Sequence, residues 1–267
     1  MHKLVIITDL NKCFGCNACQ LGCKSWHTSS IFGPMTDLNP WGEEPWSLYF
    51  MRVVRMEVGE YPNVRTTPVP ISCFHCEDPP CVKVCPTGAI YKRVVDGVVV
   101  IDYTICQGFR YCINACPYGN ITFDPVEGVA KKCVLCVDRL YDDSLPAYER
   151  VPACVAHCPS GARIFGDLAD PNSEVSRIVS QYGGFPLGAE YGTKPEELYL
   201  PVRGPTKGPF ADEPRKIAEG DLAGAYAERT GAVDMAPEKV VQDAQKLGLT
   251  RQDLRTYKRS EKIVLKL

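Results

Sequence analysis

Cysteines are the residues of this sequence whose type and spacing most directly indicate chemistry. The 267-residue chain contains 15 of them. They fall into four runs: Cys13, Cys16, Cys19 and Cys23; Cys73, Cys76, Cys81 and Cys85; Cys106, Cys112 and Cys116; Cys133, Cys136, Cys154 and Cys158. Three thiolates from one tight loop, joined by a fourth from a distant segment, are the usual ligands of an iron–sulfur cluster. The spacing therefore predicts iron–sulfur clusters.

Two other uses of cysteine compete with clusters. A disulfide framework is disfavoured by the odd number of cysteines and by the CxxC pairs, which seldom form structural bridges. The fourth run alone would also suit zinc, because paired CxxC motifs supply four thiolates in tetrahedral geometry. A third cysteine soon after a CxxC pair, as in the first two runs, is needed by a cluster and not by zinc. Clusters are therefore the favoured interpretation.

One expected ligand is missing from the third run. The regular spacing would place a cysteine at position 109, where the sequence has Phe109. A phenyl ring cannot bind iron, so the simplest outcome is a 3Fe-4S cluster with a higher reduction potential than its neighbours. The alternative is a 4Fe-4S cluster whose open corner holds hydroxide or the side chain of Asp102 or Tyr103. Oxygen ligands suit such a site less well than thiolate.

The elements that position these cysteines can be predicted from turns that recur in the chain. Three runs end in Cys-Pro followed by similar residues: PTGAI at 86–90, PYGNI at 117–121 and PSGAR at 159–163. Glycine accepts the positive φ of such a turn, and a strand is expected to follow. Apolar stretches on either side of Asp96-Gly97 predict a β-hairpin between the second and third runs. The first and fourth runs flank this unit and are expected to form a second one together.

The predicted fold class is therefore α+β, with two ferredoxin-like lobes, an insertion and an extended C-terminal tail. We assign residues 1–23 plus 118–165 to an outer lobe, 24–72 to the insertion, 73–117 to an inner lobe and 166–267 to a C-terminal extension. A first strand is expected before Cys13, and residues 47–57 predict another strand. The aromatic residues of the insertion are expected to pack in a core or an interface.

The C-terminal extension has a different composition from the rest of the chain. Glycine and proline between 204 and 214 predict a linker-like stretch. Two short helices are expected after it, one from Pro237 to Leu247 and one capped by Thr250 and running to Tyr257. The first should present one apolar face: Val240, Val241, Ala244 and Leu247. The tail cannot bury enough surface alone, so we expect it to lie against a partner subunit.

Histidines and lysines near the cysteines are candidates for secondary roles. His75 and His157 lie inside cysteine runs and could tune a cluster by hydrogen bonding. His2 and His27 are expected at the surface or in packing. Lys131 and Lys132 precede Cys133, and we expect them to be solvated rather than to stabilise a reduced cluster.

Composition excludes several functions. The chain is 45% hydrophobic, enough for an ordinary core, and its net charge of −2 gives no basis for nucleic-acid binding. No apolar run approaches the roughly 18 residues of a membrane span, and the first residues are not expected to be a secretory signal. There is no Gly-rich phosphate loop and no nucleophile with a base. We therefore expect this chain to carry electrons while a partner performs bond chemistry.

The order of the runs, the insertion after the first run and two later phrases together resemble a known family. The phrases are FGDLADPNSEVSRIV at 165–179 and YGTKPEELYL at 191–200. They are similar to those of the electron-transfer subunits of complex iron–sulfur molybdoenzymes, the dimethyl sulfoxide reductase superfamily. The resemblance covers residues 4 to about 200 and all but one of the family's cysteines. Nitrate reductase and ethylbenzene dehydrogenase relatives carry an aromatic residue where this chain has Phe109.

The resemblance implies a ligand set for each of three 4Fe-4S clusters and one 3Fe-4S cluster. The sets are Cys13, Cys16, Cys19 and Cys158; Cys23, Cys133, Cys136 and Cys154; Cys73, Cys76, Cys81 and Cys116; and, for the 3Fe-4S cluster, Cys85, Cys106 and Cys112.

The resemblance also implies partners. One would be a catalytic subunit with a molybdenum or tungsten bis-pterin, near the first cluster, and the other a quinone-linked membrane-anchor or cytochrome subunit at the Phe109 end. The complex would be membrane-associated, with export on a signal-bearing partner favoured over a cytoplasmic location. Two alternatives remain. One is a stand-alone polyferredoxin, which the long tail disfavours. The other is an enzyme using an open iron corner as a Lewis acid, which the bulk of Phe109 disfavours.

Overall fold

A computed structural model describes residues 2–39, 41–43, 46–58, 60–62, 64–202 and 235–259. The linker-like stretch predicted at 204–214 and the basic end at 260–267 lie outside the described residues. Within the described part, no helix is both long enough and apolar enough to cross a membrane.

The outer lobe is organised by a three-stranded sheet whose strands are distant in sequence. The predicted first strand is confirmed as β1 (Leu4–Asp9). It pairs antiparallel with β10 (Arg163–Asp167) and parallel with β11 (Leu198–Leu200). Every residue of β1 is buried because both faces of the sheet are covered: Leu4 and Ile6 belong to one apolar cluster, and Val5 and Ile7 to another. Burial of both faces explains why the run is largely apolar throughout, whereas a strand with one exposed face would alternate apolar and polar residues.

The expected boundary of the outer lobe at 165 falls inside β10. The chain continues into α6 (Glu174–Tyr182), whose Val175 is fully buried against Gly166 of β10. It then returns to the sheet as β11. Residues 166–200 are therefore part of the outer lobe and not of an extension, because the sheet needs β11 at its edge.

The inner lobe contains the predicted hairpin. Strand β6 (Ile90–Lys92) pairs with β7 (Val99–Ile101), and Gly97 in the turn has a φ of +77°. A second hairpin, β8 (Ile121–Asp124) with β9 (Val129–Lys132), packs on the first through Ile121 and Ala130. The inner lobe therefore extends past the expected end at 117. Two short helices carry cysteines into this lobe: α2 (Pro80–Lys83) and α3 (Tyr111–Ala115).

Helix α1 (Ala18–Thr28) carries Cys19 and Cys23 of the first run and continues into the insertion at residue 24. Two hairpins follow: β2 (Asp37–Leu38) with β3 (Trp46–Ser47), and β4 (Arg52–Val58) with β5 (Arg65–Ile71). The strand predicted at 47–57 is thus found chiefly as β4. The aromatic residues differ in burial, since Phe50 is 3% exposed and Trp41 is 97% exposed.

The fourth cysteine run lies on two helices of one turn each. These are α4 (Val137–Leu140), directly after Cys136, and α5 (Ala153–Ala156), which includes Cys154. Helix α5 packs against α1 and so brings the fourth run to the first.

The two C-terminal helices are confirmed as α7 (Met235–Lys246) and α8 (Arg251–Arg255), with Thr250 and Asp253 forming a capping box. Of the four residues expected on one apolar face, Val240, Val241 and Ala244 are buried and Leu247 is 56% exposed. The chain turns at Gly248, where φ is +71°, and Leu249 is buried instead. A glycine with positive φ ends a helix and redirects the next side chain.

The described part of the C-terminal extension packs on this chain itself. The Leu254 carbonyl accepts a hydrogen bond from Arg93, and the Tyr257 carbonyl accepts one from the Tyr91 hydroxyl. The Arg259 N–H donates to Asp102. Residues 235–259 therefore bury surface against the inner lobe of the same chain, and contact of the tail with a partner subunit stays a prediction.

Candidate iron–sulfur cluster sites

The first candidate site is a cavity of about 310 Å³ at the surface of the outer lobe. Four cysteines border it: Cys13, Cys16, Cys19 and Cys158. The loop of the first run is closed from the other side by the Cys158-Pro159 turn after α5. Phe14 and the guanidinium-bearing side chain of Arg163 also line the cavity.

The second site lies deeper, between α1, α4 and α5. Its four cysteines are all buried: Cys23, Cys133, Cys136 and Cys154. Burial raises the pKa of the Cys23 thiol well above its ordinary value, and the neighbouring thiols of Cys133 and Cys154 raise it further. Burial and the thiols of the other three cysteines likewise raise the pKa of Cys136, so the four thiols lie close together.

The third site is a cavity of about 360 Å³ in the inner lobe. It is lined by Cys73, Cys76, Cys81 and Cys116. Burial raises the pKa of Cys76 to about 11, while the Thr193 hydroxyl opposes that rise. Cys116 belongs to the third run, so this site takes its fourth cysteine from beyond the hairpin.

The fourth site is a cavity of about 310 Å³ at the far side of the inner lobe. Only three cysteines border it: Cys85, Cys106 and Cys112. Phe109 lines the same cavity, is 51% exposed, and stacks on Tyr111 with 6.1 Å between ring centroids. The ring thus stands at the position where the spacing would place a fourth cysteine.

The donor chemistry of these sites fits iron–sulfur clusters. Burial raises the pKa of Cys19 and Cys112 to about 11 and that of Cys133 to about 12, so these thiolates need strong positive partners. Iron provides such a charge, and a coordinating thiol is deprotonated outright. Within the described residues, no three His, Cys, Asp or Glu side chains lie close enough to hold one ion. Each thiolate of a cluster binds a different iron, so cluster ligands are spaced more widely than zinc ligands.

Comparison with known proteins agrees with this geometry. Two family models, both described as a 4Fe-4S dicluster domain, match residues 12–89 and 64–168. The B subunit of the sulfite dehydrogenase of Allochromatium vinosum is 50% identical over 203 residues, which cover 76% of this chain and 85% of the relative. This chain belongs to the family of electron-transfer iron–sulfur subunits of molybdoenzymes.

Other members of the family are more distant from this iron–sulfur subunit. The B subunit of the tetrathionate reductase of Salmonella typhimurium is 35% identical, over 74% of this chain and 72% of the relative. The beta subunit of the chlorate reductase of Ideonella dechloratans is 41% identical, over 59% of this chain. The match spans 46% of that longer relative, less than half of its length.

Hydroxyl groups after Cys-Pro turns contact cysteine sulfurs in this iron–sulfur subunit. The Thr87 hydroxyl lies 3.6 Å from the sulfur of Cys85, and the Ser160 hydroxyl lies 3.7 Å from that of Cys158. At Cys85, burial raises the pKa of the thiol, but Thr87 and nearby backbone N–H groups outweigh it and lower the pKa overall. The repeated turn therefore supplies donors to the sulfur as well as a bend. The PTG and PSG repeats were the sequence signal for these contacts.

His27, which the sequence analysis assigned to the surface or to packing, lies beside a cysteine sulfur. His27 is buried, and its Nε2 lies 3.5 Å from the sulfur of Cys136. Burial lowers the pKa of His27 to about 3, so the ring is neutral. By contrast, the Nδ1 of His75 accepts a hydrogen bond from the Val99 N–H, and the Nδ1 of His157 forms a hydrogen bond with the Ala153 carbonyl.

The two lysines before Cys133 are not solvated, contrary to expectation. Lys131 is 0% exposed and lies 2.9 Å from Asp124. Lys132 is 1% exposed and donates to the backbone carbonyls of Val99 and Cys133. Each cation has acceptors in a neighbouring element, which is the condition for burying an ammonium group.

Proposed function

We propose that this subunit passes electrons along a row of three 4Fe-4S clusters and one 3Fe-4S cluster. Each cluster supplies a one-electron couple whose potential depends on cluster type, charge and hydrogen bonding. The protein holds the clusters by the four cysteine sets described above, with Cys85, Cys106 and Cys112 holding the 3Fe-4S cluster. The fifteen cysteines are all used.

The observation that carries this proposal is the order of the sites. Cys19 of the first set faces Cys154 of the second closely enough for the charge of one thiol to raise the pKa of the other. Cys133 of the second set similarly faces Cys73 of the third. The third and fourth sets share one apolar cluster, which contains Cys81 and Cys112. The sites therefore follow one another as a chain, as electron relay requires.

The surroundings of the fourth site support the 3Fe-4S assignment. One oxygen of the Asp102 carboxylate accepts hydrogen bonds from the hydroxyl and the backbone N–H of Thr104. The other oxygen accepts a hydrogen bond from the backbone N–H of Arg259. The Tyr103 hydroxyl donates to the Phe32 carbonyl. The two alternative side-chain ligands are thus engaged elsewhere, and Phe109 occupies the open side.

The two ends of the row are proposed to meet different partners. Phe14, which lines the first cavity, is 64% exposed, and Leu21 is 61% exposed. Phe109 and Tyr111 are exposed at the other end. Exposed apolar residues at both ends suit protein contacts.

We place a catalytic subunit with a molybdenum or tungsten bis-pterin at the first end. A quinone-linked membrane-anchor or haem subunit is placed at the Phe109 end. The complex would be membrane-associated and exported with a signal-bearing partner. The relatives support the proposal because their names assign them to dehydrogenase and reductase complexes.

The proposal is tested by the metal content of the native complex, purified without oxygen. Three full clusters and one 3Fe-4S cluster give about 15 iron atoms per chain, with one molybdenum or tungsten per complex. Electron paramagnetic resonance (EPR) of the oxidised complex should show one 3Fe-4S signal. Similar iron in a monomer without molybdenum or tungsten would favour a stand-alone polyferredoxin, and zinc in place of iron would overturn the proposal.

A further inference from the structure

Arg163 is a buried cation between the first two cysteine sets. It is the first residue of β10, and its side chain is 1% exposed. It lines the first cavity together with Cys13, Cys19 and Cys158. A residue in this position faces whatever group the cavity holds.

Strand β10, which begins at Arg163, also packs against α5, the helix that carries Cys154 of the second set. Burial raises the pKa of the Cys154 thiol, and the charge of Arg163 opposes that rise most strongly. Its charge likewise opposes the effect of burial on the thiols of Cys19 and Cys23. Arg163 is therefore in electrostatic contact with cysteines of both outer-lobe sites.

Two of the guanidinium nitrogens have unused donor capacity. Nη2 donates to the Glu197 carboxylate at 3.1 Å and to the Ser72 hydroxyl at 3.4 Å. Nε and Nη1 are buried and have no oxygen or nitrogen acceptor among the described residues, whereas the guanidinium does form a hydrogen bond with the sulfur of Cys154. An unpaired buried N–H is costly, and the sulfur atoms of a cluster are acceptors that would satisfy it.

We propose that Arg163 sets the reduction potentials of the two outer-lobe clusters together, which rests on the ligand sets of the proposed function. Reduction adds one negative charge to a cluster, and a buried cation stabilises that charge strongly in a medium of low dielectric constant. Arg163 therefore raises both potentials relative to a neutral residue. Glu197, also buried, partly offsets this effect from the other side of the guanidinium. Arg163 acts as a positioning and charge-setting residue, not as a ligand.

The test is a redox titration of the complete complex with dithionite, followed by EPR. In Arg163→Met, we expect the ratio of reduced to oxidised cluster at a fixed potential to fall about tenfold for the first two clusters, about 59 mV for a one-electron couple. Arg163→Lys should retain most of the wild-type potentials. Glu197→Gln should shift both potentials upward. The inner-lobe clusters should not move in any of these variants.

Arg93→Met is the matched control. Arg93 is also fully buried and paired with a carboxylate, Asp96, but its guanidinium donates to the Leu254 carbonyl and lines none of the three cavities described above. Its loss should lower stability without moving any potential.

Iron content shows whether a negative result concerns the proposed function or only the role of Arg163. Wild-type complex without the expected iron overturns the proposed function. Full iron with unmoved potentials in Arg163→Met overturns only the role of Arg163, as does an equal shift of all four clusters. If Arg163→Met fails to hold iron, the neutral polar variant Arg163→Gln decides: a downward shift of the first two potentials supports the proposal, and no shift overturns it.

Discussion

Gly22 of α1 lies directly against the imidazole ring of His157, so closely that a Cβ atom at position 22 would come within 2.5 Å of the ring. Each residue precedes a cysteine, Cys23 or Cys158. The contact therefore fixes how closely two helices bring ligands of different sets together. We expect Gly22→Ala to separate α1 from α5 at a cost of about 1–3 kcal/mol, which is typical of overpacking. Iron per chain and the temperature at which the visible cluster absorbance is lost should both fall.

Ser25→Ala is the control for this variant. Ser25 lies in the same helix and is exposed, and its replacement introduces the same residue type away from the buried face. Equal iron content and thermal stability in both variants would show that the helix contact is not critical.

Phe109→Cys should complete the fourth cysteine set. We expect about one additional iron per chain and loss of the 3Fe-4S signal, because a thiolate would hold the missing corner iron. Tyr111→Cys is the matched control, since it removes the same ring stacking but places the thiol two residues away. Unchanged iron and spectra in Phe109→Cys would contradict the 3Fe-4S assignment.

Lys131→Met should destabilise the inner lobe strongly. It removes the cation from beside Asp124, which is 0% exposed, and breaking a buried ion pair costs about 3–5 kcal/mol. Lys239→Met breaks a more exposed pair with Asp170 and should change stability little. The two variants are compared by the temperature of cluster loss. A similar small effect in both would contradict the burial of Lys131.

Leu254→Ala should detach the C-terminal helices from the inner lobe. Leu254 is fully buried, and such truncations typically cost about 2–5 kcal/mol. Leu247→Ala, at a position 56% exposed, should have little effect. Limited proteolysis of the complex reports the difference as faster cleavage near α7 and α8 in Leu254→Ala. If Leu247→Ala proved the more sensitive, the placement of this face would be wrong.

His2 should make the attachment of α7 depend on pH. Its Nδ1 lies 2.6 Å from Asp167 and its Nε2 lies 3.0 Å from Asp243, so both ring nitrogens donate only when the imidazole is charged. The hydrogen bond to Asp167 raises the pKa of His2 above 6.5. The stabilisation is thus complete below about pH 6.5 and is lost as pH rises through the raised pKa.

The low-pH limit of this link comes from Asp167. Burial raises the pKa of its carboxyl, but the bond from His2 and two backbone N–H groups lower it overall. The link is therefore lost again only as pH falls through that lowered pKa. Amide exchange of α7, corrected for intrinsic rates, should be slower at about pH 6 than at about pH 8. His2→Gln should abolish this difference, and its persistence in that variant would contradict the role of His2.

Local signals predicted much of the inner lobe. Asp96-Gly97 between two apolar stretches was sufficient for the β6–β7 hairpin, because turn and strands lie within a dozen residues. Thr250 predicted the start of α8 for the same reason, since its capping partner Asp253 is three residues away. The family resemblance implied the cysteine sets that border the three cavities.

Features that depend on distant partners could not be predicted. The burial of Lys132 depends on the Val99 carbonyl, and that of Arg163 on Glu197, both more than 30 residues away. The packing of the tail depends on its backbone carbonyl groups, which accept hydrogen bonds from Arg93 and Tyr91. Nothing in the local sequence of these residues identifies such partners.

The pairing of β1 with β10 and β11 also determines when the outer lobe can form during synthesis. Leu4 pairs with Asp167, and Ile7 pairs with Leu198, whereas the β6–β7 pairs span at most 11 residues. Pairs distant in sequence form late because a long loop must be closed first. As the chain leaves the ribosome, the strands and cysteines of the inner lobe are synthesised before β10 and β11, the strands that pair with β1. The N-terminal cysteines are therefore the first to be translated and the last to be enclosed.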